Sequence, residues 1–226
     1  MCPTGGPYCT RDGIATETGL SCVSALAVTL PALAVIASYL LGSIPTALIA
    51  ARLAGRPDPR TVGTGNAGST NVALTVGPAA GIAVLVIDLL KGTAAALTGS
   101  MVGGQLTGDL CALGAVAGQI APVFAGFRGG KGAATTLGGY IGLSPALAVL
   151  GLASYGIGLL SIRRFVIAAV TAMFALAAVT VVLQQHVVFG IGAVLLTLFA
   201  HRRDLAAWRR GEMPTIREAL RDNRRG

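Results

Sequence analysis

Two glycine-rich polar stretches stand out in a chain that is otherwise 54% apolar. The first runs Gly63-Thr-Gly-Asn-Ala-Gly-Ser-Thr-Asn71, the second Phe127-Arg-Gly-Gly-Lys-Gly132. Glycines allow backbone N–H groups to turn into a concavity that receives an anion, and a following helix start adds a positive end. Thr64, Asn66, Ser69, Thr70 and Asn71 add hydroxyl and amide donors. A tight turn between helices needs one or two capping residues, whereas this stretch has five in nine. In the second stretch Arg128 and Lys131 are set among Gly129, Gly130 and Gly132. Anchoring of a membrane segment by positive charge accounts for the cations but not for three glycines. Both stretches point to the binding of a phosphate.

Neither is a nucleotide motif. Gly63, Gly65 and Gly68 spell G-x-G-x-x-G, but the run follows an apolar helix rather than a strand, and no βαβ unit fits around it. The second stretch is not a Walker A loop, because Ala125 and Gly132 stand where that loop needs Gly and Ser or Thr. Asp88 and Lys91 lie three apart on one helix face in mid-span. At that depth they read either as an internal ion pair that fixes packing or as part of a site. His201-Arg-Arg-Asp204 closes the last apolar run, as a basic anchor or, if His201 faces the loops, as a phosphate ligand. No Ser-His-Asp order, H-E-x-x-H or His-x4-Asp occurs. Without an evident general base, such a site suits a substrate with a built-in leaving group, the protein holding two anions and stabilising charge.

The elements that must position these residues are membrane helices. Only 12% of the 226 residues are charged, half the share of a soluble domain, and the apolar runs lack strand alternation. The 32 glycines suit close helix packing in lipid. Candidate spans are Ala25–Leu53 (interrupted by Pro31 and Pro45), Gly77–Val102, Leu106–Ala125, Ala133–Ser161, Phe165–Leu183 and Val187–Ala200. As one helix, Ala133–Ser161 would run about 43 Å, too long for a hydrocarbon core of about 30 Å. A turn at Ser144-Pro145 puts 15 of the 17 Lys and Arg on one side. The positive-inside rule then predicts seven transmembrane helices, with the N-terminus outside and the C-terminus cytoplasmic. Both glycine stretches face the cytoplasm on this topology.

The net charge of +8 lies at the edges of apolar runs, a topology signal that argues against nucleic acid. The predicted organisation is a polar, disordered tail over 1–24 without a signal-peptide pattern, a membrane domain over 25–203 and a basic cytoplasmic tail over 204–226. Trp208 and that tail are expected to rest on the anionic inner leaflet. Four cysteines, Cys2, Cys9, Cys22 and Cys111, form no CxxC pair, so no metal or redox site is expected. A Cys9–Cys22 or Cys2–Cys9 disulfide and free thiols both remain open for the tail.

Tyr39-Leu-Leu-Gly-Ser-Ile-Pro45, Asp58-Pro-Arg60, Gly63 to Asn71, Asp88-Leu-Leu-Lys-Gly92, Pro122-Val-Phe124 and Gly129-Gly-Lys-Gly-Ala-Ala-Thr135 together resemble the bacterial acyl-phosphate:glycerol-3-phosphate acyltransferases, the PlsY family. The resemblance covers residues 30 to 216. It implies an integral inner-membrane enzyme, without cofactor or metal, that moves an acyl chain from acyl phosphate to the sn-1 hydroxyl of glycerol 3-phosphate, giving lysophosphatidic acid. It assigns catalytic roles to Thr64, Lys131 and His201. It assigns substrate binding to Gly65, Asn66, Gly68, Thr70, Asn71, Gly129, Gly130 and Gly132. Ser43, Asp88 and Lys91 join them as candidate binding residues, and Arg52 and Arg60 as cations placed to gather the soluble anion. Leu74, Ile167, Gln119 and Asp204 stand where the family carries Arg, Ser, His and Asn, and Gly211-Glu-Met-Pro214 replaces Gly-Thr-Glu-Pro. Two alternatives are a weakened relative that binds or senses a phospholipid precursor and a small-anion transporter, though no inverted repeat is visible.

Overall fold

The computed structural model describes residues 17–162 and 165–210, with side-chain surroundings from residue 27 onward. All regular elements among them are helical: α1 (Glu17–Gly42), α2 (Thr46–Leu53), α3 (Ser69–Thr75), α4 (Pro78–Ile120), α5 (Ala133–Leu143), α6 (Pro145–Ile162), α7 (Phe165–Leu183), α8 (Val187–Ala200) and α9 (Arg202–Arg209). Leu53, Met101, Leu160 and Val182 are exposed, while Asn71, Asp88, Lys91 and His201 are buried. This inversion of the soluble pattern is expected where the outer solvent is hydrocarbon and ionisable groups must turn to the bundle interior. By length and composition, 27–53, 78–125, 145–162 and 166–183 are apolar enough to cross a membrane, and α8 is a shorter apolar helix.

Three breaks shape the bundle. Inside α4, Gly103 (φ −149°, ψ 24°) and Gly104 (φ 73°, ψ −164°) leave helical geometry. Gly104 occupies a region essentially closed to side-chain-bearing residues, so α4 is two arms, 78–102 and 105–120, as the two predicted spans require. At Ser144 the chain is extended (φ −157°, ψ 102°), because the following Pro145 disfavours helix at the residue before it. The predicted turn is therefore present. The α5 helix, 11 residues long, extends only about 16 Å. The third break corrects the first span. Pro31 lies inside an intact α1, and the chain leaves helix only at Ser43–Pro45, so Thr46–Leu53 is a separate helix.

Two further corrections concern the termini. The α1 helix begins at Glu17, so residues 17–24 of the tail expected to be disordered are helical; no breaker stands between Gly19 and Pro31, and Cys22 and Val23 extend the apolar run. Residues 1–16, with Cys2 and Cys9, lie outside the described residues, as do 211–226. The boundary at 203 divides α9, because Asp204 in its first turn reaches back to the membrane domain. Cys111 is a buried free thiol.

The core centres on α5. Tyr140 meets Phe189 of α8 edge to face, ring centroids 4.7 Å apart at 74°, and Leu147, Leu176 and Val116 complete the cluster. A Cβ on Gly92 would strike the Thr135 carbonyl, and one on Gly138 the Leu89 carbonyl. Helices α4 and α5 thus touch backbone to backbone, the close approach that small residues permit in lipid. That contact fixes the start of α5, and with it the second glycine stretch, against α4. A smaller cluster of Ala47, Leu48, Ala67, Val72 and Val84 seats the first stretch on α2 and α4.

Candidate active site

The first glycine stretch is wound around Asn71. Its Oδ1 accepts the backbone N–H of Thr64 at 2.8 Å, and its Nδ2 donates to the carbonyls of Pro59, Val62 and Asn66 at 2.6, 3.1 and 3.0 Å. Both groups of this fully buried amide are engaged with its own loop, the NH2 with three carbonyls and the oxygen with one N–H. Asn71 is therefore the residue that shapes the loop, although it also borders the cleft described below. Gly63 turns with φ 60°, and a Cβ there would overlap Asn71 Oδ1.

The second stretch is held by different means. Gly129 N–H donates to Ile120 O at 3.1 Å, and Gly130 N–H to Gln119 O at 3.0 Å. These amides are therefore not free to receive an anion, which corrects the expectation that glycine exposes them. A Cβ on Gly130 would strike the Ala67 carbonyl of the first stretch. The absent side chains let the two loops cross and set Lys131 beside the first. Arg60 adds a clamp: it pairs with Asp58 at 2.7 Å and donates through Nη1 to Ala125 O and Arg128 O at 3.0 and 3.2 Å. Its hydrogen bond holds the Asp58 carboxyl below the usual carboxylate range. Arg60 thus ties the loops together.

Between the loops and helices lies a cleft of ≈ 410 Å³, within the usual range for small-molecule sites. Of the predicted residues, Thr64, Asn66, Gly68, Thr70, Asn71, Asp88, Lys131, Gly132 and His201 border it. Ser43, Arg52, Arg60, Gly65, Lys91, Gly129 and Gly130 are not among its lining residues. Ser43 is fully buried and donates to Tyr39 O at 2.8 Å at the end of α1. Arg52 is exposed in the last turn of α2. Tyr155 of α6 and Val166 and Ala169 of α7 supply a less polar wall.

Beneath the cleft is a closed polar cluster. Asp88 and Lys91, 3% and 4% exposed, pair at 3.1 Å. Asp88 also accepts Thr46 Oγ1 at 2.7 Å and Gln119 Nε2 at 2.8 Å, while Lys91 donates to the Ile44 carbonyl and to Gln119 Oε1. Every charge is matched, so the packing role has the stronger geometric support. It locks α2 to both arms of α4, and Asp88 and Gln119 face the cleft from below. Of the two readings of the pair, the sequence could not choose, because Thr46 and Gln119 are distant in the chain.

His201 caps α8 and is 4% exposed. Its Nδ1 lies 3.0 Å from Thr197 O. A carbonyl can only accept, so Nδ1 carries the hydrogen and neutral imidazole keeps Nε2 as an acceptor. Burial, then the charge of Lys131, holds the imidazole below its ordinary value, opposed in part by Thr197 and Asp204. Lys131 itself pairs with Asp204 Oδ2 at 2.6 Å.

Sequence reasoning missed Gln119 and Thr135 as neighbours of the cleft. The Thr135 hydroxyl is fully buried without a hydrogen-bond partner, a costly state. Its place three residues beyond Gly132, in the first turn of α5, was the available signal. Asp109 and His186, paired at 2.6 Å, lie outside this cleft.

Residues 32–211 match the family model described as glycerol-3-phosphate acyltransferase. A protein of that name from Thioalkalivibrio sulfidiphilus is 37% identical over 195 residues, 80% of this chain and 92% of the relative. One from Syntrophomonas wolfei is 36% identical, covering 79% and 93%. The crystal structure of PlsY (YgiH), an integral membrane glycerol 3-phosphate acyltransferase, superposes in its glycerol 3-phosphate form with a TM-score of 0.76 at 33% identity, over 82% of this chain and 94% of that one. Its lysophosphatidic acid form gives 0.76 at 31% identity, over 84% and 98%.

Proposed function

The chain belongs to the glycerol-3-phosphate acyltransferase family, and from that premise we propose that it transfers an acyl chain from acyl phosphate to the sn-1 hydroxyl of glycerol 3-phosphate in phospholipid synthesis. The observation that carries this reading is a single cleft in which Thr64, Asn66, Lys131 and His201 meet below two crossed glycine loops. Lys131 and the hydroxyl and amide donors of the first loop hold phosphate, and the wall of α6 and α7 takes the start of the acyl chain. The related structures are described with glycerol 3-phosphate and with lysophosphatidic acid, the acceptor and the product of such a transfer.

The glycerol hydroxyl oxygen attacks the acyl carbonyl carbon. The bond from that carbon to the phosphate oxygen then breaks, and phosphate leaves with the electron pair and takes the hydroxyl proton. Neutral His201 accepts a hydrogen bond from the attacking hydroxyl and so orients it. Because the leaving group is already activated, the protein's contribution is placement and charge stabilisation. Seven crossings, with the N-terminus outside and the cleft and C-terminus on the cytoplasmic side of a bacterial inner membrane, are part of the same proposal, supported by the charge distribution and the breaks at Gly104 and Ser144. Neither a precursor sensor nor an anion transporter has a specific observation in its favour.

The test is purified full-length protein with acyl phosphate and radiolabelled glycerol 3-phosphate. Equal amounts of lysophosphatidic acid and inorganic phosphate are expected, with the product abolished by Lys131→Ala and retained in Arg209→Ala. Binding of glycerol 3-phosphate without any product from acyl phosphate would sink the reading.

A further inference from the structure

Among the described residues that line the cleft, Lys131 is the only lysine or arginine, and it is already engaged. Asp204 Oδ2 lies 2.6 Å from its Nζ, and the two side chains are 30% and 33% exposed. This differs from Asp88 and Lys91, which are buried and hydrogen-bonded to Thr46 and Gln119. The Lys131–Asp204 pair borders open space. It joins the second glycine loop to the first turn of α9, two segments that share no other hydrogen bond or ion pair among the described residues. Asp204 also has support without Lys131, since a carboxylate in the first turn of a helix is favoured by the helix dipole.

A phosphate that reaches Lys131 thus meets a carboxylate already there. We propose that Asp204 is an internal substitute for the substrate phosphate, occupying the Lys131 ammonium and setting how tightly phosphate ligands bind. Resting on the phosphate-site reading above, this makes Asp204 a determinant of affinity rather than a reacting group. Entry of a phosphate either displaces the carboxylate or shares the ammonium with it, and both routes cost binding free energy. The effect grows with ligand charge, because a dianion is repelled by the carboxylate more strongly than a monoanion is. The pair therefore favours release of phosphate products as well as weakening their capture.

The experiment uses the full-length protein in nanodiscs, with binding of inorganic phosphate and of glycerol 3-phosphate measured calorimetrically for wild type, Asp204→Asn and Asp204→Glu. Asp204→Asn is expected to bind both ligands about tenfold more tightly, the equivalent of one modest charge repulsion removed. Asp204→Glu, which keeps the charge, should stay near wild type. In steady-state assays the Asp204→Asn effect falls on KM for glycerol 3-phosphate more than on kcat. A pair that merely docks α9 would instead lower the melting temperature and leave phosphate affinity unchanged or weaker, and that result in folded protein overturns the proposal. Should Asp204→Asn not fold, Asp204→Ser supplies the same comparison. Tighter phosphate binding with no acyl transfer in any variant would support Asp204's role while removing the transfer reading. Transfer with unaltered phosphate affinity would do the reverse.

Discussion

Thr64 is held in place by Asn71, whose side-chain oxygen takes the Thr64 backbone N–H at 2.8 Å, rather than by the threonine hydroxyl. The two residues therefore fail differently. Asn71→Ala strands the Thr64 N–H and three carbonyls, at about 1–3 kcal/mol for each group that stays buried, so the loop should unwind. Activity is expected to fall more than a hundredfold, with a lowered melting temperature. Asn71→Asp should be comparably damaging, because it replaces the amide donor with a charge facing carbonyls. Thr64→Ala keeps the backbone bond and should lose activity without losing stability. Thermal melts alongside transfer assays separate the cases, and a stable, inactive Asn71→Ala would contradict the shaping role.

The cluster of Asp88, Lys91 and Gln119 predicts a non-additive result. Asp88→Asn leaves the Lys91 ammonium buried without a counter-charge, a loss of about 3–5 kcal/mol, so membrane expression should drop. Removing both charges in Asp88→Asn/Lys91→Met should recover much of that loss. The measurement is the yield of monodisperse protein after detergent extraction. If Asp88→Asn is made at normal yield and is inactive, the pair serves the reaction directly.

Thr135 gives a variant whose two effects have opposite signs. Its hydroxyl has no hydrogen-bond partner within the protein, so Thr135→Val removes a desolvation cost and should hold or raise the melting temperature by a few degrees. If the hydroxyl meets substrate in the cleft, the same change should cut kcat/KM by about tenfold, the value of one hydrogen bond. An unchanged kcat/KM would mean that no ligand reaches it.

His201 makes stability depend on pH in a definite direction. Its folded value lies below the ordinary 6.5, so in the window beneath 6.5 the unfolded chain takes up a proton that the folded chain resists. Stability is therefore lost as pH falls through 6.5 toward the folded value, and His201 contributes no slope well above 6.5. Asp58 acts lower: its folded value lies beneath 3.8, and its stabilisation persists above 3.8 and is lost as pH falls through the folded value. Melting temperatures between pH 7.5 and 5 should decline more steeply for wild type than for His201→Gln. Parallel curves would show that imidazole burial is not the source.

What the chain determined by itself is local or collective. Proline at 145 forces Ser144 extended, the Gly103-Gly104 pair permits a reversal between two apolar runs, and scarcity of charge places the helices in lipid; each depends on neighbours in sequence or on sums over it. The polar composition of the two glycine stretches marked the site for the same reason. Only the tertiary structure decided what individual donors do. The N–H groups of Gly129 and Gly130 were spent on Ile120 and Gln119, Arg60 was turned into a clamp, and Lys131 was paired with Asp204, 73 residues away. Residue type sets how many hydrogen bonds and charges a group can satisfy, but which partner it meets is fixed by how the loops and helices cross, and that follows from packing between segments distant in the chain.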